Sequence, residues 1–300
     1  MGIGQKSVGH RGFEDLLKAT AAEADALLDR LLPPEAVLVD AMRYALLGQG
    51  KRLRPFLLAE SARLFAVPRD RALRVGAALE CMHCYSLIHD DLPAMDDDDL
   101  RRGKPTVHKA FDEATAILAG DALQTLAFEI LSAAATHPDA SIRVALIAEL
   151  AKAAGKDGMA GGQMLDLNAG RHKLGLDDVM RMQAMKTGAL FGFACEAGAI
   201  LGEAASEDRT ALRRYADGIG LAFQIADDIL DIESSADQLG KATQKDKHAG
   251  KATYVDLLGL DGAKLRARNV ASDAKKALAH FGDRAAVLAT TADFVVQRAK

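Results

Sequence analysis

Three hundred residues with 38 basic and 42 acidic side chains carry a formal charge of -4, which excludes a general binder of nucleic acid or anionic membrane. Apolar residues make up 49% and charged ones 27%, as in soluble globular proteins, and three cysteines are too few for a disulfide scaffold. Aromatics at 5%, no Trp, and no Pro after Pro138 favour long helices over strands.

The chain opens with Met1 to Gly12, read as a disordered terminus without the apolar core of a secretory signal. A first helix follows, with Leu16, Leu17, Leu27, Leu28 and Leu31 on it, and stops at Pro33-Pro34. Gly50-Lys51-Arg52-Leu53-Arg54-Pro55 reads by itself as a solvated helix end. Cys81, His83, Cys84 and His89 resemble a metal or redox group. With Cys195 the only other thiol, core residues on an apolar helix are the better reading.

Further breaks are expected at Pro68, from Pro93 to Pro105, at His137-Pro138, from Gly170 to Gly175 and from Ser234 to Lys251. None is long enough to be an interdomain linker. No stretch alternates strictly in twos, and no Asn-Gly or Asp-Gly turn joins β-branched runs. No uncharged apolar run approaches the roughly 20 residues of a membrane span. The expected fold is one all-α domain over 1–300, in a reducing cytoplasm.

Two acidic clusters stand out. Asp90-Asp91 and Asp96 to Asp99 put six carboxylates into ten residues, beside Arg101-Arg102-Gly103. Such crowding is costly without cations. Hard oxygen donors suit Mg²⁺, which takes one or two carboxylates plus phosphate oxygens, and arginines grip phosphate bidentately. Pro93 should end the helix and let the chain bring Asp96 back toward Asp90. Downstream, Tyr215, Ile219, Ala222, Ala226 and Leu230 trace one helix face. On that helix Asp227 and Asp231 are i and i+4, and can share one cation. Two such clusters facing each other across a helical bundle would hold several Mg²⁺ ions and a polyanion.

Together these motifs resemble the trans-isoprenyl diphosphate synthases. Gly161-Gly162-Gln163 with Asp166, Lys186-Thr187-Gly188, Phe223-Gln224 and Gly240-Lys241 follow the same family's order, and the likeness covers about Tyr44 to Leu258. With four residues between its acidic ends, the first motif is similar to the version in bacterial farnesyl diphosphate synthases, which geranylgeranyl synthases share. The resemblance implies a bundle of about ten or more helices around a deep cavity, a homodimer, and head-to-tail condensation of isopentenyl diphosphate with dimethylallyl or geranyl diphosphate.

It implies roles as well. Asp90, Asp96 and Asp227, supported by Asp91 and Asp231, would hold Mg²⁺, three ions per site, and oxygen ligands accept Mn²⁺ too. Arg101, Lys186, Lys241, Gln163 and Asp166 would form the allylic diphosphate site, with the 234–251 loop closing over it. Lys51, Arg54, His83 and Arg102 would hold isopentenyl diphosphate. Thr187, Gln224 and the Lys186 carbonyl would face the allylic cation. Tyr85 and Ser86, the fifth and fourth residues before the motif, would floor the pocket, and bulky Tyr85 points to a C15 product. A geranylgeranyl synthase, a terpene cyclase or an inactive partner subunit are the alternatives.

Overall fold

The structure, a computed structural model, describes residues 10–48, 50–169, 175–239 and 253–297. Thirteen α-helical segments, a π-helical turn and a 3-10 stretch account for most of these residues, as the Pro-free second half and sparse aromatics lead one to expect. The first helix starts at His10, inside the stretch expected to be disordered. The chain groups into two compact units, 10–150 with 197–204, and 151–196 with 205–297.

The first unit contains α1 (His10–Leu31), α2 (Val37–Leu46), α3 (Leu53–Arg63), α4 (Arg69–Asp90), α5 (Val107–Ala110), α6 (Glu113–Ser132) and, as far as Leu150, α7 (Ala140–Ala154). At its centre is α4, which packs on α6, α3, α1 and α2 and buries residues around its whole circumference. A helix apolar all round belongs in a core. Small side chains permit the close crossings: a Cβ on Gly120 of α6 would sit 2.1 Å from His89 Nε2 of α4. Asp112 caps α6 by accepting from the Thr115 N–H at 2.7 Å. The buried Arg52 bonds Glu80 at 2.6 Å, Asp25 at 2.6 Å and the Leu46 carbonyl, so one guanidinium ties α1, α2 and α4 together. Of the basic residues read as a solvated helix end, Arg52 is thus a buried anchor.

Among the described residues the only strands are Leu100–Arg101 and Lys104–Pro105, an antiparallel hairpin pairing Leu100 with Pro105 and Arg101 with Lys104. Its turn residues Arg102 and Gly103 both have positive φ, 53° and 78°. That is the twist a two-residue hairpin wants. The sequence reading missed it because it sought Asn or Asp before the glycine.

The second unit contains α8 (Met159–Ala169), α9 (Leu176–Gln183), a π turn (Ala184–Gly188), α11 (Ser206–Leu239), α12 (Tyr254–Ala277) and α13 (Ala286–Gln297); α10 is Ala189–Leu201. In this unit α11 packs on α12, α13, α9 and the π turn, burying Ile225, Ala226 and Ile229 with Val179, Tyr254, Ala263 and Ala267. The expected break at Ser234 is absent: α11 runs on to Leu239, since nothing before Gly240 breaks a helix. A Thr253–Asp256 capping box starts α12.

By length and composition Glu113–Ser132 and Leu176–Leu201 are apolar enough to cross a bilayer. The first is interrupted by Asp121 and Glu129, and the second is for the most part buried by the chain itself.

Candidate active site

In the first unit the acidic motif begins where α4 ends, at Asp90, three residues before Pro93. The chain then turns back. Asp96 N–H donates to the Asp90 carbonyl at 2.9 Å, and Asp98 N–H to that of Asp91 at 3.2 Å. The reversal expected from Pro93 therefore sets Asp96 beside Asp90.

Asp91 takes a different part from its neighbours. It is buried and receives Arg101 Nε at 2.7 Å and Nη2 at 2.5 Å. Burial raises the Asp91 carboxyl, and the Arg101 contact opposes the rise. Asp91 therefore orients an arginine rather than offering its oxygens outward.

The basic residues around His83 also converge. Gly50, at φ 103°, leaves only 2.6 Å between an imagined Cβ and Arg102 Nη1, so the Arg102 guanidinium lies on the Gly50 backbone beside Lys51. Arg54 sits in the first turn of α3. Burial, then the positive charge of Arg54 and Arg102, holds the His83 imidazole well below its usual range. His83 enters this group as a ring held toward its neutral form among cations. Lys51 is exposed at the same loop.

Tyr85 lies one turn before His89 on α4, with the two rings edge to face at 5.7 Å. His89 Nε2 meets the Ile117 carbonyl at 3.0 Å, so α6 holds the His89 ring against which Tyr85 packs. Ser86 returns its hydroxyl to the His83 carbonyl at 2.8 Å within its own helix. Cys81 and Cys84 are core residues whose thiols are pushed up by burial, Cys84 to about 12. Neither has the thiolate character that metal binding or redox chemistry needs.

In the second unit Lys186 and Thr187 sit on the π turn, a distortion frequent at functional sites. Gly162 lets α8 approach it: a Cβ there would fall 2.2 Å from Lys186 N. Across this contact Lys186 Nζ donates to Asp166 Oδ2 at 2.7 Å. Gln163 is buried with both ends of its side-chain amide lacking a hydrogen-bond partner. That is a costly condition, which a polar ligand atom or a water would relieve. Thr187 Oγ1 donates to Gln224 Oε1 at 3.3 Å, and Gln224 Nε2 donates to Asp228 Oδ1 at 3.0 Å. Asp227 is half-buried and Asp231 exposed on α11, one turn apart. Lys241 and residues 240–251 of the expected loop lie outside the described residues.

Among the described residues no three His, Cys, Asp or Glu side chains gather into a closed metal cage. The acids present are hard oxygen donors in ones and twos. This fits Mg²⁺, which keeps waters and takes substrate phosphate oxygens, and does not fit a structural zinc.

Comparison with known proteins places this arrangement. The polyprenyl synthetase family model matches residues 35–289. This chain belongs to the polyprenyl synthetase family. It is 46% identical to the farnesyl diphosphate synthase of Escherichia coli (strain K12), over 96% of this chain and 99% of that one. To the chloroplastic geranylgeranyl pyrophosphate synthase of Catharanthus roseus it is 42% identical, over 91% and 77%. Its fold matches the crystal structure of an FPP/GFPP synthase from Zymomonas mobilis in the apo state, with a TM-score of 0.87 and 50% identity over 95% and 99% of the two chains. The all-α isoprenoid-synthase fold and prenyltransferase class follow, and members of the family generally use Mg²⁺.

The sequence reading left two contributors unassigned: Asp228 and the Arg102-Gly103 turn. Asp228 stands four residues after Gln224, a spacing that already puts the two on one helix face.

Proposed function

We propose that this chain condenses isopentenyl diphosphate with dimethylallyl and then geranyl diphosphate to give farnesyl diphosphate. Tyr85 carries the product assignment. It stands five residues before Asp90, about 7.5 Å along α4, and packs edge to face on His89. A ring held there limits growth to two condensations. The farnesyl diphosphate synthase named in Escherichia coli supports the same reading. The geranylgeranyl synthase of Catharanthus roseus keeps a C20 product as the second reading.

The residues divide the work. Asp90, Asp96 and Asp227, with Asp231 near Asp227, would hold Mg²⁺, three ions in all, with diphosphate oxygens completing the coordination. Mg²⁺ supplies neutralisation of the charge that grows on the departing diphosphate. Arg101 and Lys186 bind that diphosphate with Lys241, and each is already aimed by its own carboxylate, Asp91 or Asp166. Lys51, Arg54 and Arg102 bind isopentenyl diphosphate by charge, and His83 by a hydrogen bond from its neutral ring.

Thr187, Gln224 and the Lys186 carbonyl offer oxygen to the allylic cation without a carboxylate that would trap it. The last proton goes to the released diphosphate, and no side chain is assigned as base. We read the two units as one catalytic domain, because the family match spans both. The enzyme works as a cytoplasmic homodimer, to which α6 offers the exposed apolar pair Ile117 and Leu118.

The test incubates the protein and Mg²⁺ with isopentenyl diphosphate and, separately, C5, C10 and C15 allylic diphosphates. C15 from the first two, with the C15 starter unchanged, is expected. C20 from any of them replaces the product assignment. No condensation with any starter overturns the reading in favour of a cyclase or a partner-dependent subunit.

A further inference from the structure

The hydrogen-bond chain that starts at Thr187 ends on Asp228, an acid to which the motif assigns no ligand. Asp228 is buried, with 7% of its surface exposed. Both its oxygens are occupied. Oδ1 accepts from Gln224 Nε2 at 3.0 Å, and Oδ2 accepts from the Tyr254 backbone N–H at 2.8 Å. Tyr254 is the first residue of α12, so this N–H is one that the helix cannot satisfy itself. The positive end of that helix also favours an anion there. The carboxylate is thereby fixed in position by backbone.

An ionised carboxylate only accepts hydrogen bonds. Facing it, the Gln224 amide must present its NH₂, and its oxygen is then turned toward Thr187. Thr187 gives its one proton to that oxygen at 3.3 Å. Every proton in the series points toward Asp228, and the lone pairs left over belong to Thr187 Oγ1 and Gln224 Oε1. Hydrogen bonds in series polarise one another, so a negative group at the far end enriches both oxygens.

We propose that Asp228 is a positioning residue that sets the orientation of the Gln224 amide, so that Gln224 and Thr187 both turn oxygen toward the allylic cation. This rests on the reading of those two residues as the cation-facing oxygens. It adds an indirect electrostatic function for a buried carboxylate: its charge reaches the cation through two neutral groups, with no carboxylate oxygen close enough to form an ester.

The experiment is a double-mutant cycle on the full-length enzyme with Mg²⁺. In D228N the single side-chain oxygen is retained by the Tyr254 N–H, and the new NH₂ faces Gln224. The Gln224 amide then turns over and points its NH₂ toward Thr187. The expected result is a loss of about 100-fold in kcat, with KM for both diphosphates within about threefold. Q224M should lose a similar factor. Q224M/D228N should be no slower than Q224M, because Asp228 acts through the amide.

Additive losses, or a D228N enzyme within about threefold of wild-type kcat, would overturn the proposal. Should D228N not fold, D228E and D228Q replace it, equal in size and different only in accepting capacity. D228E at least about tenfold faster than D228Q supports the proposal, and equal rates overturn it. Condensation by the wild-type enzyme in the same assay separates the two levels. Turnover with an unimpaired D228N sinks this inference alone, whereas no turnover at all sinks the farnesyl reading and takes this inference with it.

Discussion

The two acid-rich motifs are built on different backbones, yet each divides its aspartates the same way. The first lies at a helix end, where the chain folds back on itself through the Asp96 N–H bond to the Asp90 carbonyl. The second lies in the middle of α11, where the helix itself sets Asp227 and Asp231 one turn apart. In both, the second member of the Asp-Asp pair is buried, with 3% of Asp91 and 7% of Asp228 exposed. Asp91 holds a charged partner, Arg101, and Asp228 holds two neutral donors. An Asp-Asp pair in this chain is therefore one half-buried acid and one buried support. Equal letters in the sequence have unequal physical tasks.

Replacing the outward acids tests the division most severely. D90N and D227N should each lower kcat by about 10³-fold while leaving the melting temperature within a few degrees, because neither group is core. Chelation of Mg²⁺ should abolish turnover of the wild-type enzyme, and added Mg²⁺ should restore it. Similar losses in D91N and D90N, with no loss of stability in D91N, would erase the distinction.

A smaller and different effect is expected for D91N. The neutral amide cannot hold Arg101 in its present pose, so stability should fall by about 1–3 kcal/mol. KM for the allylic diphosphate should rise by about tenfold as the arginine loses its aim. Denaturant unfolding and steady-state kinetics on one preparation give both numbers.

The smallest effect belongs to His83, the neutral ring in the first unit's cationic group. Its folded pKa is lowered, so below the ordinary value of 6.5 the unfolded chain binds the extra proton and the fold does not. Stability should therefore fall as pH drops below 6.5, and H83Q should remove up to about 1.4 kcal/mol of that loss per pH unit. At neutral pH, H83Q should keep KM for isopentenyl diphosphate within about threefold, since the ring contributes a hydrogen bond and not a charge. A large rise in KM would mean the ring is protonated when the diphosphate binds.

Much of this was legible in the sequence, because it depends on neighbours along the chain. Proline placement foretold the ends of α1 and α4 and the return of Asp96 to Asp90. The i, i+4 spacing foretold the shared face of Asp227 and Asp231. What was not legible needs a partner from elsewhere. Arg52 looked solvated beside Lys51 and Arg54 until Asp25 and Glu80 were seen to enclose it. The support role of Asp228 depends on Tyr254, 26 residues away. The π turn at Lys186 has no Pro to mark it, and it meets α8 only because Gly162 leaves room.

Tyr85 gives the most direct test of the farnesyl assignment. Wild-type enzyme and Y85A would be run side by side with Mg²⁺, excess isopentenyl diphosphate and geranyl diphosphate, and the product chains resolved by length. The account predicts C15 from wild type and C20 or longer from Y85A, with little change in total condensation rate. C15 from both would remove Tyr85 as the floor, and C20 already from the wild type would contradict the farnesyl assignment itself.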